Sequence, residues 1–479
     1  MGVKHFIFLA ITMGFIPVAA YMGIKYRWAE RLLVAGCFLS TSYLIDINFV
    51  SMEWYRGDTR GFEFGVTDWM VISLIIVMAK SPRWQKHKLD LIPPNGGLVM
   101  AYFVFAVISA LVAYVGVYAG FGVFKLIRAI AVFWVAYNYL RSEEDLRFIL
   151  MILAAIVCME FLIVLKQRMG GIYRAPGTTP HSNTLAVYIN MMNMIFFAFI
   201  LGEQSKRTLL HWACLGMGSI MVLATFSRGA LVTMILGYGL VIVLSFYDRI
   251  KPRKTKVLLT LFLLALPVAI KVAPAIIDRF LNAPEASGES RGYANEAAIA
   301  MANDHLFGVG INNYSHVINE TEYIRFIDNP VDRGIVHNIY LLHACEMGWP
   351  GLLMFVLMIG NFFLIGLRVI KKRRDNTVTY MAVGIVAAMF TLWFQSMLEW
   401  LFRQTYVTVQ FFMLAGFLAA LERVDRTMEA GKRRERMKLA YLMWWWNDKK
   451  QGRRPAEAQR SGARRLAHEP ATNGNEVRT

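Results

Sequence analysis

Apolar residues run along this chain in unbroken blocks. They show neither the three-to-four spacing of a surface helix nor the alternation of a half-buried strand. The blocks fall near 5–23, 32–50, 67–80, 97–120, 123–140, 147–165, 183–201, 209–226, 229–247, 257–274, 349–369, 378–398 and 405–422. At about 1.5 Å per residue, most of them match a hydrocarbon layer about 30 Å thick. Two are irregular: 67–80 is short, and 123–140 carries Lys125 and Arg128. The pattern predicts an all-α polytopic membrane protein with roughly 12–13 transmembrane helices. The first block has no small-residue cleavage pattern leading into a soluble domain, so it is read as a retained span.

The charged connections orient these helices. Segments 80–88, 249–256 and 371–374 are short and rich in Lys and Arg, which places them in the cytoplasm. Alternation then puts 166–182, 226–229 and the long loop 275–348 on the outer side, and an odd number of spans puts Met1 there too. Two domains are expected. Residues 1–422 form the membrane domain with its outer loop 275–348, and 423–479 form a basic cytoplasmic tail. The tail holds 15 Lys and Arg against 7 Asp and Glu, a net charge of 15 − 7 = +8. Its stretch Met437–Trp446, ending in three tryptophans, suits a helix lying among lipid headgroups. Residues 451–479 have the composition of a disordered end.

Composition narrows the function. The 479 residues are 57% hydrophobic and only 18% charged, which excludes a disordered chain and an ordinary soluble enzyme. The net charge is +18. Beside so much apolar sequence it signals orientation and contact with anionic membrane lipid, not nucleic acid, for which no recognition motif is present. The four cysteines are far apart and show no metal-binding spacing, so neither a disulfide framework nor a zinc site is expected. There is no internal repeat and no inverted hydropathy symmetry of the transporter kind.

Candidate chemistry gathers in four outer segments. The first, 166–183, contains Arg174, His181 and Asn183 among glycines and prolines. Its backbone must be irregular just outside the membrane, where basic side chains hold an anion or anchor at the interface. The second is Ser227-Arg228-Gly229 between two apolar blocks. An arginine so close to hydrocarbon is costly unless it is paired or functional. The third is the long loop, with Arg291 and the turn Gly308-Val-Gly-Ile-Asn312. That turn follows a helix and so is not read as a nucleotide-binding loop. The fourth runs from His337-Asn338 to Gly348-x-x-Gly351. His337 is suited to proton exchange near neutral pH. His343 lies on another helix face and is read as structural. Glu399 and Arg403 flank the last outer turn, where they either pair with each other or line an entrance. The structural role is favoured.

His337-Asn338, nine intervening residues and Gly348-x-x-Gly351, together with Ser227-Arg228-Gly229, Arg291 and the 304–313 segment, resemble the O-antigen ligase and polymerase family of bacterial membrane proteins. The resemblance spans roughly residues 120–420. One position departs from it: Val232 stands where leucine often follows the family's arginine. The resemblance implies a GT-C-like fold and a lipid-dependent glycosyltransferase of the bacterial inner membrane, working in lipopolysaccharide or other polysaccharide biosynthesis. It would move a glycan from a polyprenyl diphosphate carrier, such as undecaprenyl diphosphate, to an acceptor hydroxyl at the periplasmic face. The acceptor would be lipid A core, another glycan or a protein. A polymerase of the same family and a non-enzymatic transporter of lipid-linked glycan are the alternatives. The expected catalytic residues are His337, Arg228 and Arg291. The expected substrate-binding residues are Arg174, His181, Asn183, Lys125, Arg128 and Asn338. With arginines to neutralise a diphosphate, an inverting, metal-independent reaction with no cofactor is expected.

Overall fold

The computed structural model describes residues 3–87, 89–202, 207–246, 252–281, 286–329 and 333–450. In chain order the elements are α1 (Val3–Lys25), α2 (Arg27–Leu39), β1 (Asp46–Ser51), β2 (Gly61–Gly65), α3 (Val66–Lys80), α4 (Pro82–Gln85), α5 (Gly96–Leu111) and α6 (Gly116–Tyr139). Then come α7 (Glu143–Met169), α8 (Ser182–Gly202), α9 (Thr208–Ala224), α10 (Arg228–Phe246), α11 (Pro252–Leu281) and α12 (Ala286–Asp304). The last are α13 (Tyr314–Glu320), α14 (Ile339–Lys371), α15 (Thr377–Gln395) and α16 (Thr405–Lys450). The protein is thus an all-α, polytopic membrane protein. Among the described residues, eight helices are long and apolar enough to cross a bilayer: α1, α6, α7, α8, α10, α14, α15 and α16. α5 and α9 are shorter apolar helices, and α2, α3 and α11 occupy the remaining apolar blocks.

The chain divides into two units, Met1–Glu422 and Arg423–Thr479. In the second unit the described part is helical to Lys450, and its basic residues 432–438 are exposed, as are Leu439, Tyr441, Leu442, Met443 and Trp446. The segment expected to be disordered, 451–479, lies outside the described residues, as do residues 249–251 of the second basic connection.

In the first unit α8 is the axis. Nearly all of its residues are buried, against α9, α10 and α15. Close approach needs small residues where backbones meet. A Cβ on Gly384 of α15 would lie 2.5 Å from the Cα of Ile195 in α8. Polar groups tie the same layer together: Asn190 Nδ2 donates to Ala230 O (2.9 Å) and Gln410 Nε2 donates to Tyr188 O (3.0 Å). The helix ends sort into two levels. At one, Arg253 donates to Gly202 O (3.2 Å), Lys372 meets Glu422 (3.1 Å) and Arg83 meets Glu30 (2.9 Å). At the other lie the β1–β2 hairpin, the 170–181 segment and the segments 286–329 and 333–338.

One expectation is corrected here. The block 32–50 is not a single span. It is α2 followed by β1, which pairs antiparallel with β2 (Ile47 with Phe64, Asn48 with Glu63). The hydroxyls of Ser40, Thr41 and Ser42 bond back to the carbonyls of Cys37, Phe38 and Leu39. Such back-bonding closes off a helix end, and the β-branched residues beyond it take up strand pairing. The block 97–120 likewise divides, between α5 and the start of α6.

The sharpest local feature is the kink in α14. Gly348 sits at φ +72° inside the helix, followed by Pro350. Proline has no N–H to give the fourth carbonyl before it, so Glu346 O is released. It accepts instead from Gly310 N (3.1 Å) and from the Ser109 hydroxyl, while Cys345 O accepts from Val309 N (2.8 Å). The 308–313 turn is therefore docked by backbone bonds onto the broken helix. A Cβ at position 348 would sit 1.9 Å from Leu306 O and in the left-handed region. Gly348→Ala should lower stability by at least about 1–2 kcal/mol, read as an earlier thermal unfolding midpoint in detergent. An unchanged midpoint would show that the kink bears no strain.

Candidate functional site

The residues singled out in the sequence meet at the level opposite the basic connections, and two local devices place them. The 170–181 segment turns at Gly171 (φ +85°) and Gly177 (φ +61°). Gln167 clasps Gly177 through both its N–H and its C=O (2.8 and 2.7 Å), and buried Glu160 accepts from the Thr178 N–H (3.2 Å) and hydroxyl. So fixed, Ala175 N bonds to Ala224 O (3.4 Å) and the Tyr173 ring stacks on Phe226 at 4.6 Å. At the start of α14, the Asn338 side chain accepts from Tyr340 N (3.0 Å) and Leu341 N (3.2 Å). It is the N-cap, which sets His337 as the last residue before the helix. Ile339 N bonds to Ser396 O (2.9 Å) and so brings the turn after α15 beside it.

Glu399, on that turn, is the hub. Its Oε2 lies 3.0 Å from His337 Nδ1. Its Oε1 accepts from Asn183 Nδ2 (3.1 Å) and from an Arg291 guanidinium nitrogen (3.4 Å). Asn183 in turn accepts from Arg174 Nη2 (2.8 Å), and Arg174 Nε donates to Thr225 O (3.1 Å). Glu399 keeps only 14% of its side chain exposed, whereas His337 and Arg291 keep 41% and 39%. The carboxylate is therefore sheltered behind the groups that face an incoming ligand. With Nδ1 held by Glu399, Nε2 of His337 has no partner among the described residues.

Arg228 is the first residue of α10, half-buried, and makes no hydrogen bond or ion pair among the described residues. It lies three residues after Thr225 and beside Gln395, whose side chain would be 3.6 Å from a Cβ at Gly229. His181 is exposed on the same segment as Arg174, and its backbone carbonyl accepts from Thr184 N and Leu185 N. Glu399 thus serves Arg291 and His337 directly and Arg174 through Asn183. The local charge is positive, and planar guanidinium forks suit phosphate oxygens.

Lys125 and Arg128 sit elsewhere, buried on α6 with carboxylate partners of their own. Lys125 contacts Asp58 (3.5 Å), Thr59 Oγ1 (3.1 Å) and Arg403 O. Arg128 pairs with Asp68 (2.8 Å) and Glu63 (3.5 Å). Arg403 does not pair with Glu399. It is buried between Asp58 and Glu346, at 2.8 Å from each. Burial disfavours the Arg403 charge, but the two carboxylates raise its pKa well above the ordinary arginine value. Burial likewise opposes ionisation of Asp58, yet Arg403 and Lys125 hold its carboxyl below the usual range.

The sequence reading did not single out Asp58, Glu346 or Glu399 as a receptor for these cations. No local signal set them apart, because the outer segments are rich in carboxylates: residues 275–348 alone carry ten Asp and Glu against four Arg. Among the described residues, no group of three or more His, Cys, Asp or Glu side chains is set to hold a metal ion.

Residues 213–356, a span that includes Arg228, Arg291, His337 and Asn338, match the family model for O-antigen ligase. No curated protein matches the chain. The fold gives a multi-pass membrane protein, and the match supports a ligase- or polymerase-like glycosyltransferase role.

The acidic flank of the site yields a pH prediction. Burial, and then the neighbouring Glu63 carboxylate, push the Asp46 carboxyl up to about 6. An acid whose pKa is higher in the folded than in the unfolded protein favours folding while it is protonated, and loses that contribution as pH rises through the folded value. Asp46→Asn should therefore raise the unfolding midpoint at pH 7.5, and the gain should shrink below about pH 4. A gain of equal size at both pH values would show that Asp46 is not the titrating group.

Proposed function

We propose that this protein transfers a glycan from a polyprenyl diphosphate carrier to an acceptor hydroxyl, on the extracytoplasmic side of a bacterial inner membrane. The observation that carries the reading is the convergence of His337, Arg291 and the Arg174–Asn183 pair on Glu399. The side is supported by the basic connections at the opposite level.

Glu399 holds the imidazole by Nδ1, and Nε2 accepts the proton of the acceptor hydroxyl. The acceptor oxygen bonds to the anomeric carbon from the face away from the diphosphate. The bond from that carbon to the phosphate oxygen breaks, and configuration inverts. The diphosphate leaves with the bonding electrons, and Arg228, Arg291 and Arg174 stabilise its charge. Arginines in this number supply what a metal ion would otherwise contribute. Asn338 acts by capping α14 behind His337, and His181 contacts the substrate from the exposed rim. Lys125 and Arg128, each already matched by carboxylates, hold the floor of the site in place.

We favour the ligase reaction, onto lipid A core or a protein. Extension of a second carrier-linked glycan is the polymerase alternative. Incubating purified protein with a defined carrier-linked glycan and several acceptors, then weighing the products, separates the two. Movement of the carrier across vesicles with no new glycosidic bond would replace both with transport.

His337→Ala should retain carrier binding but lose at least about 100-fold in transfer rate; full turnover would remove His337 as the base. Arg228→Ala should weaken carrier binding by about tenfold or more, the scale of one charged hydrogen bond. Unchanged affinity in a carrier titration would take Arg228 out of the clamp.

A further inference from the structure

Beyond the outer ends of α7 and α9, two chain segments meet in a fixed register. Ala175 N donates to Ala224 O (3.4 Å), Arg174 Nε donates to Thr225 O (3.1 Å), and the Tyr173 ring stacks on the Phe226 ring at 4.6 Å and 13°. Each step back along one segment matches a step forward along the other. The register brings two of the diphosphate-binding arginines next to the stack: Arg174 follows Tyr173 directly, and Arg228 comes two residues after Phe226.

The stack is braced at its edge and open on one face. The Arg168 guanidinium carbon lies 5.9 Å from the Tyr173 ring centre and 5.6 Å from that of Phe226. Near-equal distances to two stacked rings put it beside the gap between them, not on the outer face of Tyr173. Arg168 Nη1 also donates to Ile172 O (3.1 Å) and to Tyr173 O, which ties down the same backbone. Phe226 is half-buried, whereas Tyr173 remains 60% exposed. Phe226 also stands at φ +50°. A bulky side chain in the left-handed region is a backbone outlier, and such outliers persist where the surrounding structure holds them for a use. A tyrosine that only anchors a helix at the membrane surface needs neither a stacked partner nor a strained one.

We propose that the open face of Tyr173 is a subsite for a pyranose ring of the glycan, the sugar joined to the diphosphate. This rests on the glycan-transfer reading above. The face of an aromatic ring is its negative side, and the C–H bonds on one face of a pyranose offer it a weakly positive, apolar surface. A sugar lying flat on Tyr173 turns its hydroxyls outward around the rim, where the Arg168 guanidinium stands. A diphosphate held by Arg174 and Arg228 presents its first sugar beside a ring carried by the neighbouring residue. The isoprenoid is the carrier's other apolar part, but Tyr173 lies past the last turn of α7, on the side away from the bilayer core.

The test measures affinity of the full-length protein in neutral detergent for two probes, undecaprenyl diphosphate and undecaprenyl diphospho-N-acetylglucosamine. Wild type should bind the sugar-bearing probe more tightly. Tyr173→Ala should lose about fivefold in affinity for that probe, the scale of one stacked ring, and bind the bare diphosphate as wild type does. Tyr173→Leu keeps apolar bulk against Phe226 and should behave like the alanine variant. Tyr173→Phe keeps the ring and should restore the affinity.

A wild-type preference for the sugar that survives in both Tyr173→Ala and Tyr173→Leu would overturn the subsite and leave the transfer reading standing. Equal losses for both probes in Tyr173→Leu would overturn the assignment to a sugar. Failure of wild type to bind either probe would instead overturn the transfer reading, and the subsite with it.

Discussion

A guanidinium buried at the edge of a membrane must be neutralised on the spot, and Arg403 is the cation on which this end of the molecule depends. Its two partners come from distant parts of the chain, Asp58 from the loop before β2 and Glu346 from the broken first turns of α14. Removing either would leave a desolvated charge, a cost of about 3–5 kcal/mol. The arrangement therefore locks the N-terminal hairpin, the long outer segment and the turn before α16 into one piece. Glu399 lies four residues before Arg403 on that turn, so the hub of the site inherits its position from a charge balance it takes no part in.

The same end of the protein treats charge in two opposite ways. Inside, Lys125, Arg128 and Arg403 are matched by Asp58, Asp68, Glu63 and Glu346. Outside, the carboxylate of Glu399 faces Arg291, His337 and, through Asn183, Arg174 among the described residues. Balanced charges hold a structure and bind little, because their donors are used. An unbalanced, half-exposed set keeps donors for a ligand and attracts an anion from a distance. On the proposed function, that contrast favours the outer cluster over the equally cationic stretch of α6 as the place for a diphosphate.

The fold class was legible in the sequence because uninterrupted apolar blocks have few other solutions in water or lipid. The blocks did not reveal where helix gives way to strand. Residues 46–51, Asp-Ile-Asn-Phe-Val-Ser, mix polar and apolar positions that a block reading runs together, and the Ser40–Ser42 hydroxyls, bonded back to the preceding turn, mark the end of α2. Arg228, Arg291 and His337 stood out because each sits next to glycines or at a block edge, a local sign. Glu399 did not, since its meaning depends on His337, 62 positions away. Pairing it with nearby Arg403 was the natural short-range reading, and it failed because a fully buried arginine is better matched by Asp58 and Glu346. The acidic partners of Lys125 and Arg128 were hidden for the same reason.

The kink at Gly348 explains why the glycine and proline pattern after His337 is needed at all. An unbroken α14 would spend the carbonyls of Cys345 and Glu346 on its own next turn. Broken, it offers them to Val309 and Gly310, and the Asn312 and Asn313 side chains then bind the backbone of the hairpin loop and of the start of α6. The long outer segment is thereby fastened to the membrane domain by backbone hydrogen bonds and by these two asparagines, which leaves Arg291 to pair with Glu399. Arg291 is carried on α12, which packs against α14, so the same fastening fixes its distance from His337. A motif that reads in sequence as a histidine followed by two glycines is, in three dimensions, a histidine together with the hinge that holds its arginine partner in place.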